Sequence, residues 1–345
     1  MAATIKVGII GMGRIGASIG LALKRYNARR DAKQQFHVTG FASENLQVQS
    51  LKKIDSAADH MARSISDTAA DKDIVVMALP YRDVQAAYQL IGRDLRSGSV
   101  LLDTSPLKLP SQAWAEKYLA DEAHMVGVTP VLNAKYLFDG LDDTEHAAVD
   151  LFDGGSLLLL PSAKTDRAAV ELASDFGELI GMTPLFGDPV EHDTWAASTE
   201  GLPMALGIAA FYTIYRRDGW NDARKVGNPN FGRLTHQLFD QNPDDVRDLL
   251  LNNRDNLVRQ IDATVETLEA LRDLIAANDQ AALEEMLIQS MDTYVTWIVH
   301  RREGKWDRPE GPATPTKSDL FMNGMFGSYL TKRMKGEKNG SGDEE

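Results

Sequence analysis

The sequence predicts a doubly wound, parallel α/β sheet through about residue 187, followed by an all-α helical domain. Three observations carry that expectation. Residues 4–26 (TIKVGIIGMGRIGASIGLALKRY) read as a buried strand, a glycine turn and a helix. Short β-branched apolar runs then alternate with amphipathic stretches as far as Phe186, the pattern of a parallel sheet with crossover helices. Beyond Gly187 the strand-like runs stop, and apolar residues recur at three- and four-residue spacing.

In the first strand Ile5, Val7, Ile9 and Ile10 are apolar on both faces, as a covered strand requires. Gly11-Met12-Gly13-Arg14-Ile15-Gly16 follows, a full G-x-G-x-x-G, and then a helix through Ile19, Leu21, Ala22 and Leu23. Gly11 permits the tight turn, Gly13 lets main chain approach a diphosphate, and Gly16 lets helix and strand pack closely. Free amides and the positive end of the helix then face the anion, so residues 11–16 are read as dinucleotide contacts. A basic loop with Arg25, Arg29, Arg30 and Lys33 leads to a second strand at 36–41 and the tip Ala42-Ser43-Glu44. A carboxylate there normally holds the ribose 2′-hydroxyl of NAD. Ala42 offers none and Ser43 could donate to a 2′-phosphate, which favours NADP; Glu44 keeps NAD open if the turn is one residue longer.

The run 73–80 (DIVVMALP) places Leu79 and Pro80 at a strand's C-terminal tip, where ligands of open α/β sheets lie. Residues 99–108 (SVLLDTSPLK) repeat the pattern with Asp103 and Ser105 at the tip as cofactor contacts, and 125–130 (MVGVTP) forms a third edge. Helices are expected around 84–95 and 109–120, and a strand at 156–161, a helix at 165–180 and a strand at 183–186 complete the sheet. The first helix of the second domain starts at Asp188-Pro189, carries His192, Asp193 and Glu200, and is kinked by Pro203. Asn242-Pro243 starts another. Leu257, Ile261, Val265, Leu268, Leu271 and Ile275 mark a long helix, Asn278-Asp279 a break, and Leu283, Met286, Leu287, Met291, Tyr294 and Ile298 the next stripe. Two such stripes want a partner, so a homodimer built on this domain is expected. The division expected is 1–187, 188–303, and 304–345 as a proline-rich linker, a short apolar segment and an acidic disordered tail.

At 345 residues two domains are the natural expectation. The net charge of −13 argues against a nucleic-acid surface and for a well-solvated protein. Cysteine is absent, which excludes disulfides, thiolate nucleophiles and Cys-type zinc sites. The N-terminus runs straight into a strand, and no apolar run reaches the ~18 residues of a membrane span, so a cytoplasmic protein without a metal site is expected.

The order of these motifs resembles the prephenate/arogenate dehydrogenase family of tyrosine biosynthesis. The resemblance covers residues 4 to about 300: the glycine motif, DIVVMALP, a D-x-x-x-x-K element (Asp103 to Lys108), a G-x-x-P element (Gly127 to Pro130), the His192-Asp193 pair and Leu202-Pro203. It implies a Rossmann domain with an intertwined helical dimerisation domain, and NAD- or NADP-dependent oxidation of a small anionic ring alcohol with loss of CO₂. Where the family has G-S-H-P this chain has Gly127-Val128-Thr129-Pro130, so Thr129 stands in the place of the histidine that accepts the substrate proton, and an unassisted threonine would forfeit that base's usual gain of about 10² to 10⁴ in rate. Glu200-Gly201-Leu202-Pro203-Met204 replaces S-H-L-P-H, Pro106 replaces a serine with Ser105 beside it, and His236, with Arg233 nearby, replaces a substrate-gripping arginine. The catalytic candidates are therefore His192, Thr129 and Lys108, and the substrate-binding candidates Glu200, Arg233 and His236. Five of the six also have a plain reading: a structural helix-start residue for His192, a solvated lysine at a helix start for Lys108, a solvated or capping acid for Glu200, and surface loop residues for Arg233 and His236. A dinucleotide-binding homologue without turnover, or a reductase of another substrate, are the alternatives.

Overall fold

The structure, a computed structural model, describes residues 3–42, 48–139, 143–304 and 306. Ser43, Glu44 and nearly all of the expected linker and tail lie outside the described residues. Eight strands form one sheet: β1 (Ala3–Ile10), β2 (Gln34–Phe41), β3 (His60–Met61), β4 (Ile74–Met77), β5 (Val100–Asp103), β6 (His124–Val131), β7 (Gly155–Pro161) and β8 (Met182–Phe186). The order is β3-β2-β1-β4-β5-β6-β7-β8, with the strand order reversing beside β1. Helices α1 (Arg14–Asn27), α2 (Val48–Ala57), α3 (Ile65–Ala69), α4 (Tyr81–Ile91), α5 (Lys108–Tyr118) and α6 (Arg167–Leu179) connect the strands.

The continuous apolar strands are explained by two cores, one on each face. Val7, Ile9, Val76 and Leu102 pack with Leu23 and Phe176 on one side; Ile10, Val75 and Leu101 pack with Tyr88 and Ile91 on the other. Alternate side chains of one strand thus enter opposite cores. Ile10 pairs with Met77, Met77 with Asp103, and Asp103 with Gly127, so the tips of β1, β4 and β5 lie in one row with the middle of β6.

The sheet is mostly parallel, with a difference at its end: β7 runs antiparallel to β6, and β8 follows β7. The described residues of the β6–β7 connection hold only two single 3₁₀ turns, Ala134–Tyr136 and Thr144–His146, and no α-helix to cross back over the sheet, so the chain re-enters from the end it left. Instead it lies against the start of α1. Thr144 donates to the carbonyl of Met12 at 2.9 Å, Ser18 accepts from the amide of Ala148 at 3.0 Å, and Arg25 forks onto Asp153 at 2.7 and 2.6 Å.

After β8 every described element is helical. Asp188 accepts from the amides of Val190 and Glu191 and starts α7 (Pro189–Ala196), which passes through a π-turn (Ala197–Gly201) into α8 (Leu202–Tyr215). Pro203 cannot donate to the carbonyl four residues back, and the expected kink takes the form of that widened turn. Then come α9 (Trp220–Ala223), α10 (Pro229–Thr235), α11 (Gln237–Asp240), α12 (Pro243–Asn252), α13 (Arg254–Ala276) and α14 (Gln280–Glu303). Asn242 caps α12, and the break before α14 is a left-handed Asn278 followed by a capping Asp279. The chain falls into two compact units, Met1–Ala270 and Leu271–Glu345, divided within α13.

A Cβ on Gly16 would lie 1.9 Å from the carbonyl oxygen of Gly11. Gly16→Ala is therefore expected to lose about 1–3 kcal/mol in chemical denaturation, the usual cost of forcing atoms into a packed site.

Candidate active site

The glycine turn divides its roles among its three glycines. Gly11 has φ +103°, and a Cβ there would meet the carbonyl of Ala78 at 2.2 Å, so no other residue fits. A Cβ on Gly13 would meet nothing within 4 Å, which makes Gly13 the open side of the turn. Met12 points away into the core, and Ile15 is half-buried. Arg14, despite its place in the motif, is buried, forks onto Asp139 at 2.9 and 2.6 Å and lies 5.2 Å from the centre of the Tyr136 ring. It thereby ties the turn to the β6–β7 connection. An open glycine at the positive end of α1 is a cradle that fits a diphosphate, so residues 11–16 suit the cofactor through main chain.

Leu79, half-buried, and Pro80, exposed, follow the tip of β4 beside this turn. One strand further, Asp103 is fully buried: one carboxylate oxygen accepts from the Tyr88 hydroxyl at 2.5 Å, the other from the amide of Ser105 at 2.7 Å. Burial, then the charge of Asp103, pushes the Tyr88 hydroxyl well above its ordinary range, so it stays a donor. Asp103 therefore holds the β5 tip together from inside. The Ser105 hydroxyl is buried with no hydrogen-bond partner among the described residues.

Lys108, the first residue of α5, has no exposed surface. Its ammonium donates to the carbonyls of Ser105, of Asp103 at 3.2 Å and of Val128 at 2.8 Å. The stem passes Gly127, where a Cβ would stand 3.1 Å from the Lys108 Cδ. The lysine and the glycine of the two sequence elements are thus one fitted pair, a strut between the tips of β5 and β6. Burial lowers its pKa to about 8, against the opposing pull of Asp103 and Asp193.

Asp193 joins α7 to this edge. Its Oδ1 accepts from the amide of Lys108 at 2.7 Å and its Oδ2 from the amide of Leu109 at 2.9 Å, supplying the cap that Leu107 cannot give α5. Asn253 in turn donates to the Asp193 carbonyl at 2.7 Å. Beside it His192, 5% exposed, places Nδ1 3.0 Å from Asp193 Oδ1 and Nε2 2.8 Å from the hydroxyl of Thr129. Thr129, half-buried, sits two residues past the tip row on β6. The structure so brings together Thr129, His192 and Lys108 around Asp193, whose organising role the sequence pattern did not show.

Glu200 is exposed in the π-turn. Arg233 and His236 are exposed on and after α10, with His236 Nδ1 2.6 Å from Asp240. Among the described residues no group of three or more His, Cys, Asp or Glu is placed to hold a metal ion.

Two family models match. Residues 6–106 match "NADP oxidoreductase coenzyme F420-dependent", and residues 188–289 match "Prephenate dehydrogenase, dimerization domain". Among curated relatives, the prephenate dehydrogenase of Bacillus subtilis is 21% identical over 91% of this chain and 80% of its own. The cyclohexadienyl dehydrogenase of Zymomonas mobilis is 23% identical over 82% of this chain and 93% of its own. Along most of its length the chain is similar to prephenate and cyclohexadienyl dehydrogenases, and its residues 188–289 match the dimerization domain of prephenate dehydrogenase.

Solved structures share the fold. Prephenate dehydrogenase from A. aeolicus, in complex with hydroxyphenyl propionate and NAD⁺, superposes with a TM-score of 0.70 at 22% identity, over 85% of this chain and 98% of that one. Synechocystis arogenate dehydrogenase gives 0.63 at 18% identity, over 85% of this chain and the whole of that one.

Two outcomes test this architecture. Asp193→Ala strands buried donors on α5, and a loss of at least about 2 kcal/mol in unfolding free energy is expected. For Lys108 the folded pKa, about 8, lies below the ordinary 10.5, so the penalty for its buried charge is full below pH 8 and fades as pH rises toward 10.5. Wild type should therefore gain stability relative to Lys108→Met across that window in pH-dependent denaturation.

Proposed function

We propose that the chain is an NAD(P)-dependent dehydrogenase that oxidises prephenate, arogenate or a closely related anionic ring alcohol in tyrosine biosynthesis. The observation that carries this reading is the alignment of the open Gly13 turn on β1 with the Thr129–His192–Asp193 group on β6 and α7, along one row of strand tips. Three strand spacings separate β1 from β6, about 14 Å, the span a dinucleotide bridges when its diphosphate rests on one tip and its nicotinamide on another. When bound, the nicotinamide accepts hydride at C4.

The chain's own residues bind and orient. Amides of residues 11–16 hold the diphosphate, Leu79 and Pro80 border it, and Asp103 and Lys108 fix the tips of β5 and β6. Thr129 stands in for the family's proton-accepting histidine. Arg233 and Glu200 are assigned to substrate on the resemblance, Arg233 for a carboxylate; His236 already faces Asp240. NADP is the favoured cofactor and NAD the competitor, a preference that rests on residues 42–44 of the sequence. A sheet domain to residue 187 and a helical domain from 188 are the division this reading uses, with the protein working as a cytoplasmic homodimer. Among the described residues no helix is long and apolar enough to cross a membrane. Leu287, Met291 and Tyr294 form an exposed apolar stripe on α14, and this part of the chain is covered by the dimerisation-domain model up to residue 289.

NADPH or NADH should quench or shift protein fluorescence with micromolar affinity. Gly13→Ala should fold but bind at least ten-fold more weakly, since the methyl fills the cradle. Steady-state reduction of NADP⁺ or NAD⁺ with prephenate or arogenate is expected; binding without turnover on either would overturn the dehydrogenase reading in favour of a regulatory homologue. Met291→Glu should shift sedimentation from dimer to monomer, whereas a wild-type monomer would contradict the proposed assembly.

A further inference from the structure

The dehydrogenase reading leaves one chemical problem, because a threonine hydroxyl alone is a poor base at neutral pH. We infer that Thr129 and His192 form a two-step proton relay in which the substrate hydroxyl gives its proton to Thr129 Oγ1 while Thr129 passes its own to His192 Nε2, with Asp193 as the positioning residue. The inference rests on the proposed dehydrogenase activity.

Hydrogen-bond roles around the imidazole follow from Asp193. Both of its carboxylate oxygens accept from main-chain amides at the start of α5, and a carboxylate offers acceptors only. The imidazole nitrogen facing it, Nδ1 at 3.0 Å, must then carry the hydrogen. In the neutral ring this leaves the lone pair on Nε2, 2.8 Å from Thr129 Oγ1, so the hydroxyl donates and presents its own lone pairs elsewhere. The ring is 5% exposed while Thr129 is half-buried, so Thr129 is the hydroxyl through which a reactant would reach this buried base. Lys108 holds the carbonyl of Val128, the residue before Thr129, and Asn253 holds the carbonyl of Asp193, so both ends of the relay are pinned.

The step balances. The carbinol O–H proton moves to Thr129 Oγ1 and the threonine proton to Nε2, as the C–H electron pair leaves as hydride to the oxidised nicotinamide and the carbinol becomes a carbonyl. The bond to the ring carboxylate then breaks, CO₂ departs, and its electron pair aromatises the ring. The resulting phenolate takes the proton back along the same path, so no net proton is released.

The test uses the full-length protein. Thr129→Val and His192→Gln should each lower kcat by about 10²-fold or more, with cofactor affinity within about two-fold of wild type. Thr129→Ser should recover most of the rate. The double variant should be no slower than the slower single, as for groups acting as one unit. Independently of activity, ¹⁵N NMR of wild type should show His192 protonated at Nδ1 and not at Nε2, a readout that does not depend on any variant folding. Near-wild-type kcat in Thr129→Val, multiplicative losses in the double variant, or an Nε2–H tautomer would each overturn the relay. An inactive wild type that still binds cofactor would instead overturn the dehydrogenase reading, and the relay with it.

Discussion

The carboxylate of Asp193 is the constraint on which the site depends. A helix beginning at Lys108 leaves amides unpaired, and Leu107 at its start has no side chain that can accept from them. Asp193 arrives from a helix 85 residues later and accepts from two of them. That contact ties α7 to the sheet edge where β5 ends, and the same carboxylate sets the orientation of His192. One carboxylate thus caps a helix, fixes the approach of α7 and selects the ring nitrogen that faces Thr129. Removing it disturbs fold and chemistry together, since the geometry of the imidazole is part of the packing.

Around that contact the row of strand tips behaves as one rigid platform. Tyr88 and Asp103 close the β5 tip, Lys108 draws β5 and β6 together through three carbonyls, and Gly127 leaves room for its stem. A charge buried this deeply is costly, and three acceptors with two nearby carboxylates offset the cost. The Arg14–Asp139 pair does the equivalent at the other end, tying the glycine turn to the β6–β7 connection. Positioning on a stiff edge is what hydride transfer requires, because the protein supplies orientation while a cofactor supplies the chemistry.

Much of this was legible in the sequence. Residues 4–26 declare a strand, turn and helix through local pattern alone, and the structure places β1 and α1 there. The starts of α7 and α12 were legible because Asp188-Pro189 and Asn242-Pro243 act within one turn of chain. The reversal of β7 was not legible: a strand covered on both faces reads the same in either direction, and only the path of the connection decides. Lys108 reads as a solvated helix start until Gly127 and Val128 are folded against it. Arg14 reads as a phosphate contact until Asp139, 125 residues away, takes it. Thr129 and His192 lie 63 residues apart with no periodicity to link them, so in the sequence the threonine stands alone as a poor base. The pair meets only because β6 and the start of α7 end at the same edge.

On the proposed function, Thr129 occupies the place where a substrate hydroxyl surrenders its proton beside a nicotinamide. A crystal structure of the protein with NAD⁺ or NADP⁺ and hydroxyphenyl propionate tests it most directly. The phenolic oxygen is expected within about 2.6–3.2 Å of Thr129 Oγ1, the diphosphate on the amides of Gly13 and its neighbours, and the Thr129–His192 hydrogen bond intact. A phenolic oxygen bound to another side chain, with Thr129 facing away from the ligand, would contradict it.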